Sequence, residues 1–216
     1  VVTAIAMGCS KMNEISNKID EDTSVCATYI KNLTALGIVK KESPYGEKSS
    51  RKTIYSIEDN MFRFWYRFVP ENASIISRGA ADLAYKRIAP ELSAYMGGVF
   101  EEICRQYLWR LLLDGKCAVD FCDLGRWWGT NPKTRTQEEI DIMGTDRDSA
   151  LFAECKWTNE KVDLSVLETL VERSNLFHYK QKHFYLFAKT DFTKGCMDKA
   201  AEMGNVTLVA YSDMLK

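Results

Sequence analysis

The second half of this chain alternates strand-like and helix-like segments, and this alternation constrains its fold more than any other feature. Short apolar segments at 150–157, 183–187 and 206–210 are separated by helical patterns at 163–176 and 194–203. Strands that alternate with helices are typical of helices packed in layers on a sheet. The pattern therefore predicts an α/β layer structure built on a central sheet.

The preceding segment extends this prediction by one helix and two strands. Apolar positions recur at helical spacing over 90–113, and 117–122 has the composition of a strand. We predict a loop over 125–136, because this segment is polar and contains Gly and Pro. Residues 139–143 alternate strictly, which predicts a strand with Asp141 on the opposite face from its two neighbouring isoleucines.

Two helices and a hairpin are predicted in the N-terminal part of the chain. Helical patterns cover 11–19 and 23–36, and the second carries an apolar stripe that ends at Leu36. Strand-like segments at 38–41 and 53–57 flank a turn that contains Pro and Gly. This order of elements resembles a winged helix-turn-helix.

In a helix-turn-helix the second helix enters the major groove of DNA. The candidates for nucleic-acid contact are polar residues of that helix and of the wing: Lys31, Asn32, Lys48, Arg51 and Lys52. The first 70 residues carry ten basic and eight acidic side chains, which is a weak electrostatic footprint for DNA binding. Winged helices also serve as spacers between proteins, so DNA contact and protein contact both stay open.

Composition excludes several classes of protein. Aromatic residues make up 12% of the 216, which is too many for an intrinsically disordered chain. No apolar run approaches the roughly 18 residues that span a bilayer, and a net charge of -1 argues against a uniformly basic nucleic-acid coat. Seven cysteines without a Cys-x-x-Cys pair favour reduced thiols in a cytoplasmic protein. The chain begins with Val rather than Met, so we expect it to be part of a longer protein.

Two acidic residues and a lysine are predicted to meet on the sheet. The strands that carry Asp141 and Glu154 are joined by a short turn, so hairpin pairing would place the two carboxylates side by side. Lys156 follows Glu154 by two residues and therefore emerges from the same face. Clustered carboxylates repel each other unless a cation neutralises them, and oxygen ligands favour Mg²⁺ or Mn²⁺. Such an ion activates water and offsets the charge that develops in phosphoryl transfer.

These residues resemble the PD-(D/E)XK nuclease superfamily. Asp141 is followed thirteen residues later by Glu154-Cys155-Lys156, and a helix with Phe100-Glu101-Glu102 precedes both. Together with Gly125-Arg126-Trp127-Trp128-Gly129, they resemble more closely the C-terminal module of a prokaryotic family. In that family an AAA+ type ATPase domain is followed by a winged helix and a nuclease-like domain. Ile140 departs from the superfamily pattern, in which a Pro often precedes the first acid.

The resemblance implies a role for each of these residues. It implies three metal ligands: the carboxylates of Asp141 and Glu154 and the main-chain carbonyl of Cys155. Lys156 would be the catalytic lysine, and the preceding helix would contribute Glu101, with the adjacent Glu102 as a rival. Glu168 on the following helix is a further acid that could lie near the site. The Arg126-Trp127-Trp128 segment would either contact substrate or form a wall of the sheet, and the wall is favoured.

The resemblance also implies an architecture and a function. The architecture is α+β: a winged helix-turn-helix over 1–69, a connector over 70–95, and an α/β restriction-endonuclease-like domain with a mixed central sheet over 96–216. The function is that of a Mg²⁺- or Mn²⁺-dependent DNA endonuclease module that works with an N-terminal ATPase domain, away from membranes, and can form homo-oligomers. The alternative is a non-catalytic DNA-binding or regulatory, protein-docking module of that ATPase.

Overall fold

The computed structural model describes residues 1–47 and 52–215 of the chain. It divides into two compact units, Val1–Glu91 and Leu92–Lys216, each with its own buried apolar cluster. The fold is α+β, and the second unit contains a five-stranded mixed sheet. None of the described helices is long and apolar enough to cross a membrane.

The first unit consists of short helices and a two-stranded sheet. In chain order its elements are α1 (Val2–Ala6), α2 (Met12–Ile19), α3 (Thr23–Ala35), β1 (Val39–Glu42), β2 (Ile54–Ile57) and α4 (Asn60–Ile76). β1 and β2 pair antiparallel, with Val39 opposite Ile57. These two side chains are buried in one cluster with Ile15 of α2 and Ile30 of α3, so the hairpin closes the core over the helices. The predicted order of two helices and a hairpin is therefore present, and the short helix α1 precedes it.

Only one side of the predicted apolar stripe of α3 is buried. Cys26 and Ile30 lie in the core, whereas Val25, Tyr29 and Leu36 are 37%, 46% and 72% exposed. The exposed three fall on one side of the helix at 3.6 residues per turn. The predicted apolar stripe is therefore only partly buried, because periodicity identifies the helix but does not show which apolar residues find a packing partner.

The predicted connector over 70–95 is largely helical. α4 continues through Pro70 to Ile76, and α5 (Ala81–Leu113) begins at residue 81 rather than at the predicted residue 90. Proline favours the first turn of a helix because its missing N–H is not needed there. Pro90 nevertheless lies inside α5, so the predicted helix start at residue 90 is wrong.

The second unit is built on a sheet with strand order β3-β4-β5-β6-β7. Its elements after α5 are β3 (Leu124–Thr130), β4 (Gln137–Thr145), β5 (Ser149–Lys156), α6 (Leu164–Ser174), β6 (Gln181–Ala188), α7 (Lys194–Met203) and β7 (Val206–Ala210), followed by a 3-10 helix (Tyr211–Leu215). β3, β4 and β5 pair antiparallel, while β6 and β7 are added in parallel. The predicted mixed sheet is confirmed.

The first strand of this sheet lies where a loop was predicted. Residues 117–122 form no strand. Val119 and Phe121 are both buried, so apolar and polar residues alternate here as they would in a strand. The strand is β3, within the segment predicted as a loop, because its polar residues are matched across the sheet: Arg126 pairs with Glu139 of β4. The strand predicted over 117–122 is therefore wrong, and the loop predicted over 125–136 is present only over 131–136.

Both faces of the sheet are covered. On one face Phe100, Cys104 and Leu108 of α5 pack in a cluster with Ile142 and Phe187. On the other, the ring of Phe152 lies 5.6 Å from Phe177 and 6.0 Å from Phe184. Ile140 to Met143 of β4 are consequently all buried, and Asp141 lies inside the protein rather than on a solvated strand face.

Candidate active site

Asp141 lies at a β-bulge in β4. Gly125 pairs with Met143 and Trp127 with Ile140, so two residues of β4, Asp141 and Ile142, stand opposite the single residue between them on β3. A bulge redirects the side chains that it carries. The Asp141 side chain turns toward β5, where its Oδ2 accepts the main-chain N–H of Cys155 at 2.8 Å. Asp141 is only 8% exposed, so this bond is made away from solvent.

β5 contributes Glu154 and Lys156, two residues apart on one face of the strand. Lys156 Nζ donates to Glu154 Oε1 at 2.6 Å. The side chain of Glu154 is 8% exposed and that of Lys156 is 37% exposed, so the ammonium remains open to solvent while the carboxylate does not. The predicted pairing of these two residues is present in the structure.

α5 brings Glu101, rather than Glu102, toward the acids of the sheet. Glu101 precedes Cys104 by one helical turn, and the charge of Glu101 acts on both Asp141 and the Cys155 thiol. Glu102 is instead bound along its own helix, where it pairs with Arg105 and accepts from Gln106.

The electrostatics of the cluster are dominated by burial. Burial, followed by the nearby charges of Glu154 and Glu101, raises the pKa of Asp141 to about 8, against the opposing effects of the Cys155 N–H and Lys156. Burial works to lower the pKa of Lys156, but the carboxylates of Glu154 and Asp141 outweigh it and raise that pKa. Lys156 is therefore an ammonium at neutral pH and acts as a cation rather than as a base.

Arg173, in the last turn of α6, completes the site and was not predicted from the sequence. Its Nε donates to Glu138 Oε2 at 3.0 Å, and its Nη1 donates to Glu154 Oε2 at 3.4 Å. The two oxygens of Glu154 are thus held by different cations, Lys156 on one side and Arg173 on the other. No spacing signal marks Arg173, because it reaches the site from a helix whose position depends on packing against the sheet.

The donor set suits magnesium or manganese better than a softer metal. Among the described residues no three His, Cys, Asp or Glu side chains are grouped so as to hold a metal. Magnesium, however, is commonly bound by one or two carboxylates, with water and substrate phosphate completing its shell. Asp141 and Glu154 are both buried, and the charge of Glu101 acts on Asp141 as well. A divalent cation would offset the repulsion between these neighbouring carboxylates, so Asp141 and Glu154 fit such an ion.

The candidate DNA-binding residues belong to the other unit. Lys31 and Asn32 are exposed on α3. Lys52 is bonded to Glu47 at 3.0 Å. Lys48 and Arg51 lie outside the described residues. Lys31 and Asn32 therefore remain available for the predicted contact, and Lys52 would have to exchange an ion pair to make it.

Two further sequence candidates lie in other surroundings. Glu168 lines a groove between α6 and α7 with Lys199 and Met203, among other residues. Trp127 packs edge-on against Phe177 at 5.1 Å, which fits the favoured reading of this segment as a wall of the sheet.

The chain is similar to a family of unknown function, to an uncharacterized protein and to a solved structure. Residues 65–168 match a family described as archaeal and bacterial proteins of unknown function, DUF234. An uncharacterized protein of Methanocaldococcus jannaschii is 33% identical over 164 residues, which is 74% of this chain and 36% of that protein. The crystal structure of a Vibrio cholerae protein aligns with 99% of this chain and 47% of its own length, at 12% identity and a TM-score of 0.45.

The chain thus spans about a third of the length of the curated relative that it matches. Over residues 65–168 it is similar to a family of archaeal and bacterial proteins whose function is unknown.

Proposed function

We propose that the second unit is a metal-dependent phosphodiesterase that cuts DNA, with a PD-(D/E)XK-type site. The observation that carries the proposal is the burial of Asp141 and Glu154 together, with the charge of Glu101 acting on Asp141. Burying like charges is costly, and such arrangements occur where a site needs them. Mg²⁺ or Mn²⁺ would be held by Asp141, Glu154 and the main-chain carbonyl of Cys155.

The bound ion would supply activation of a water molecule and an offset for phosphoryl charge. The chain's own residues have separate tasks. The Cys155 N–H fixes the Asp141 carboxylate, so the ligand needs little rearrangement to bind. Lys156, a partly exposed ammonium, is suited to stabilise the charge that develops on the phosphate. Glu101 adds negative charge that favours a divalent cation in this position.

The order of elements supports a restriction-endonuclease-like fold for this unit. α5 is followed by three antiparallel strands, the helix α6 and the parallel strand β6. This is the order of helix, three strands, helix and strand that the superfamily resemblance implies. In the same way, α2, α3 and the β1–β2 hairpin support a winged helix in the first unit. The likeness to a longer relative is compatible with a module that serves an ATPase domain elsewhere in a longer chain.

The test is DNA cleavage by the purified chain in Mg²⁺, Mn²⁺ or EDTA. We expect cutting of double-stranded DNA with either ion and none in EDTA. Lys156→Ala should slow it about 100-fold or more, because charge stabilisation in the transition state is lost. Lys161→Ala is the matched control, since Lys161 pairs with Asp191 at 2.8 Å and takes no part in the acidic cluster. Equal cleavage by the parent and Lys156→Ala would overturn the assignment.

A second candidate is a regulatory module that docks on protein through α3. It is favoured by the exposed side of that helix that carries Val25, Tyr29 and Leu36, with Asn32 beside them and Lys31 exposed elsewhere on the helix. Apolar residues lined up on one helix face suit a protein partner better than a phosphate backbone. DNA-binding titrations at several salt concentrations separate the two. A binding constant that falls steeply with salt and is weakened by Lys31→Ala indicates DNA contact. Absence of salt-sensitive binding supports docking.

A further inference from the structure

We propose that Arg173 is a positioning residue that competes with the divalent cation for Glu154. This inference rests on the proposed function, because the cation concerned is the one proposed to bind at Asp141 and Glu154. Glu154 has two cationic neighbours, and they lie on different elements. Lys156 belongs to the same strand as Glu154 and is therefore held close to it by the backbone. Arg173 reaches Glu154 from α6 and can leave it by rotation of its side chain.

The contact distances indicate which bond of Arg173 is the weaker one. Its Nε lies 3.0 Å from Glu138 Oε2, whereas its Nη1 lies 3.4 Å from Glu154 Oε2. Hydrogen bonds to charged groups are usually shorter than the second distance, so Glu138 is the firmer anchor. Arg173 can therefore keep its ion pair with Glu138 when another cation binds Glu154.

Charge explains why the competition matters. Glu154 is 8% exposed, so water does little to screen a guanidinium 3.4 Å from its oxygen. A divalent cation on Glu154 would be repelled by that guanidinium unless it withdrew toward Glu138. Arg173 thus neutralises Glu154 while no ion is bound, and it lowers the affinity of the site for the ion. Glu138 limits this effect by holding Arg173 partly away from Glu154.

The variants of Arg173 and Glu138 should therefore change cation affinity in opposite directions. We expect Arg173→Gln to bind Mn²⁺ about tenfold more tightly than the parent, because the repulsion is removed. Arg173→Lys keeps the positive charge and should stay within about twofold of the parent. Glu138→Gln frees Arg173 for Glu154 and should weaken Mn²⁺ binding about threefold or more. In the Arg173→Gln background the same Glu138 substitution should have a much smaller effect, since its influence passes through Arg173.

The measurement is Mn²⁺ binding to the full chain without DNA, by titration calorimetry and by the electron paramagnetic resonance of free Mn²⁺. Arg110→Gln is the control for loss of a guanidinium, because Arg110 donates to the Met214 carbonyl and does not bind Glu154. Tighter binding by Arg173→Gln but not by Arg173→Lys or Arg110→Gln supports the proposal. Unchanged or abolished binding in Arg173→Gln overturns it.

The outcomes also separate this inference from the proposed function. If the parent and Arg173→Gln both fail to bind Mn²⁺, both proposals are overturned. If Mn²⁺ binds more tightly to Arg173→Gln but the parent cuts no DNA, only the nuclease proposal fails. Should Arg173→Gln not fold, Glu138→Gln decides the matter. Weaker Mn²⁺ binding than the parent then supports the competition, and equal binding overturns it.

Discussion

The main-chain N–H of Cys155 donates to the Oδ2 of Asp141 at 2.8 Å, from one strand of the sheet to the side chain of the next. Asp141 lies at the bulge between β3 and β4, next to Ile142, which pairs with Ala153 of β5. A main-chain donor of β5 is satisfied by a carboxylate, and the bond holds that carboxylate in place. This one contact therefore has both a structural role and a role in preparing the candidate site.

Asp141→Asn should stabilise the protein in EDTA at pH 8.5. The amide oxygen can still accept the Cys155 N–H, while the buried charge beside Glu154 and Glu101 is removed. We expect the melting temperature to rise by about 3 °C or more, since 1 kcal/mol corresponds to about 2–4 °C at this size. Asp141→Ala is the control, because it removes the acceptor of the Cys155 N–H as well as the charge. We expect it to be about 1–3 kcal/mol less stable than Asp141→Asn. A lower melting temperature for Asp141→Asn than for the parent would show that the Asp141 carboxylate stabilises the fold. Its burial would then give no indication of a functional role.

Removal of divalent metal should lower the thermal stability of the parent chain. An ion that binds the folded state alone stabilises it according to its concentration relative to its dissociation constant. We expect 5 mM Mn²⁺, roughly a hundredfold excess over a dissociation constant of about 50 μM, to raise the melting temperature by several degrees relative to EDTA. Differential scanning fluorimetry measures this. Glu154→Gln should abolish the rise, and an equal rise in Glu154→Gln would place the ion elsewhere.

Gly129→Ala should destabilise the sheet. A Cβ at this position would lie 2.7 Å from the ring of Trp127, which itself packs on Phe177 and cannot move freely. Overpacking of this kind costs about 1–3 kcal/mol. Gly195→Ala is the matched control, because nothing lies within 4 Å of its added Cβ and the residue is exposed in α7. That substitution should leave stability equal or raise it by up to about 1 kcal/mol in urea unfolding.

Glu14→Gln should destabilise the first unit at neutral pH but not in acid. The Glu14 carboxylate accepts the N–H groups of Lys11 and Ser10, and these bonds lower its pKa from about 4.5. A lowered pKa means that the stabilisation is fully present above pH 4.5 and is lost as pH falls through the folded-state pKa. Because the side chain is 41% exposed, we expect at most about 0.5–1 kcal/mol.

Urea unfolding of the parent and Glu14→Gln at pH 7 and pH 3 measures this difference. It should be present at the higher pH and absent at the lower one. A constant difference at both pH values would show that the carboxylate charge does not contribute.

Periodicity predicted most elements of the second unit because burial and chain geometry leave few options. The segments around Glu154, His183 and Val209 are apolar and short, and each became a strand of the mixed sheet. The same reasoning misplaced β3. Val119 and Phe121 alternate like strand residues yet pack in irregular backbone, while Arg126 is acceptable in a strand only because Glu139 lies beside it. A cross-strand partner is a property of the folded sheet, and no local pattern reveals it.

The sequence by itself determined that Asp141, Glu154 and Lys156 come together, because strand periodicity and a short turn bring neighbouring strands side by side. Only the tertiary structure decided the rest of the site. The bulge at Asp141 and the approach of Glu101 are seen only in the fold, where α5 packs on the sheet. Arg173 enters because α6 is laid against the sheet, nineteen residues along the chain from Glu154. Contacts between residues far apart in sequence are fixed by packing, and this is why the charge balance of the site is visible only in the fold.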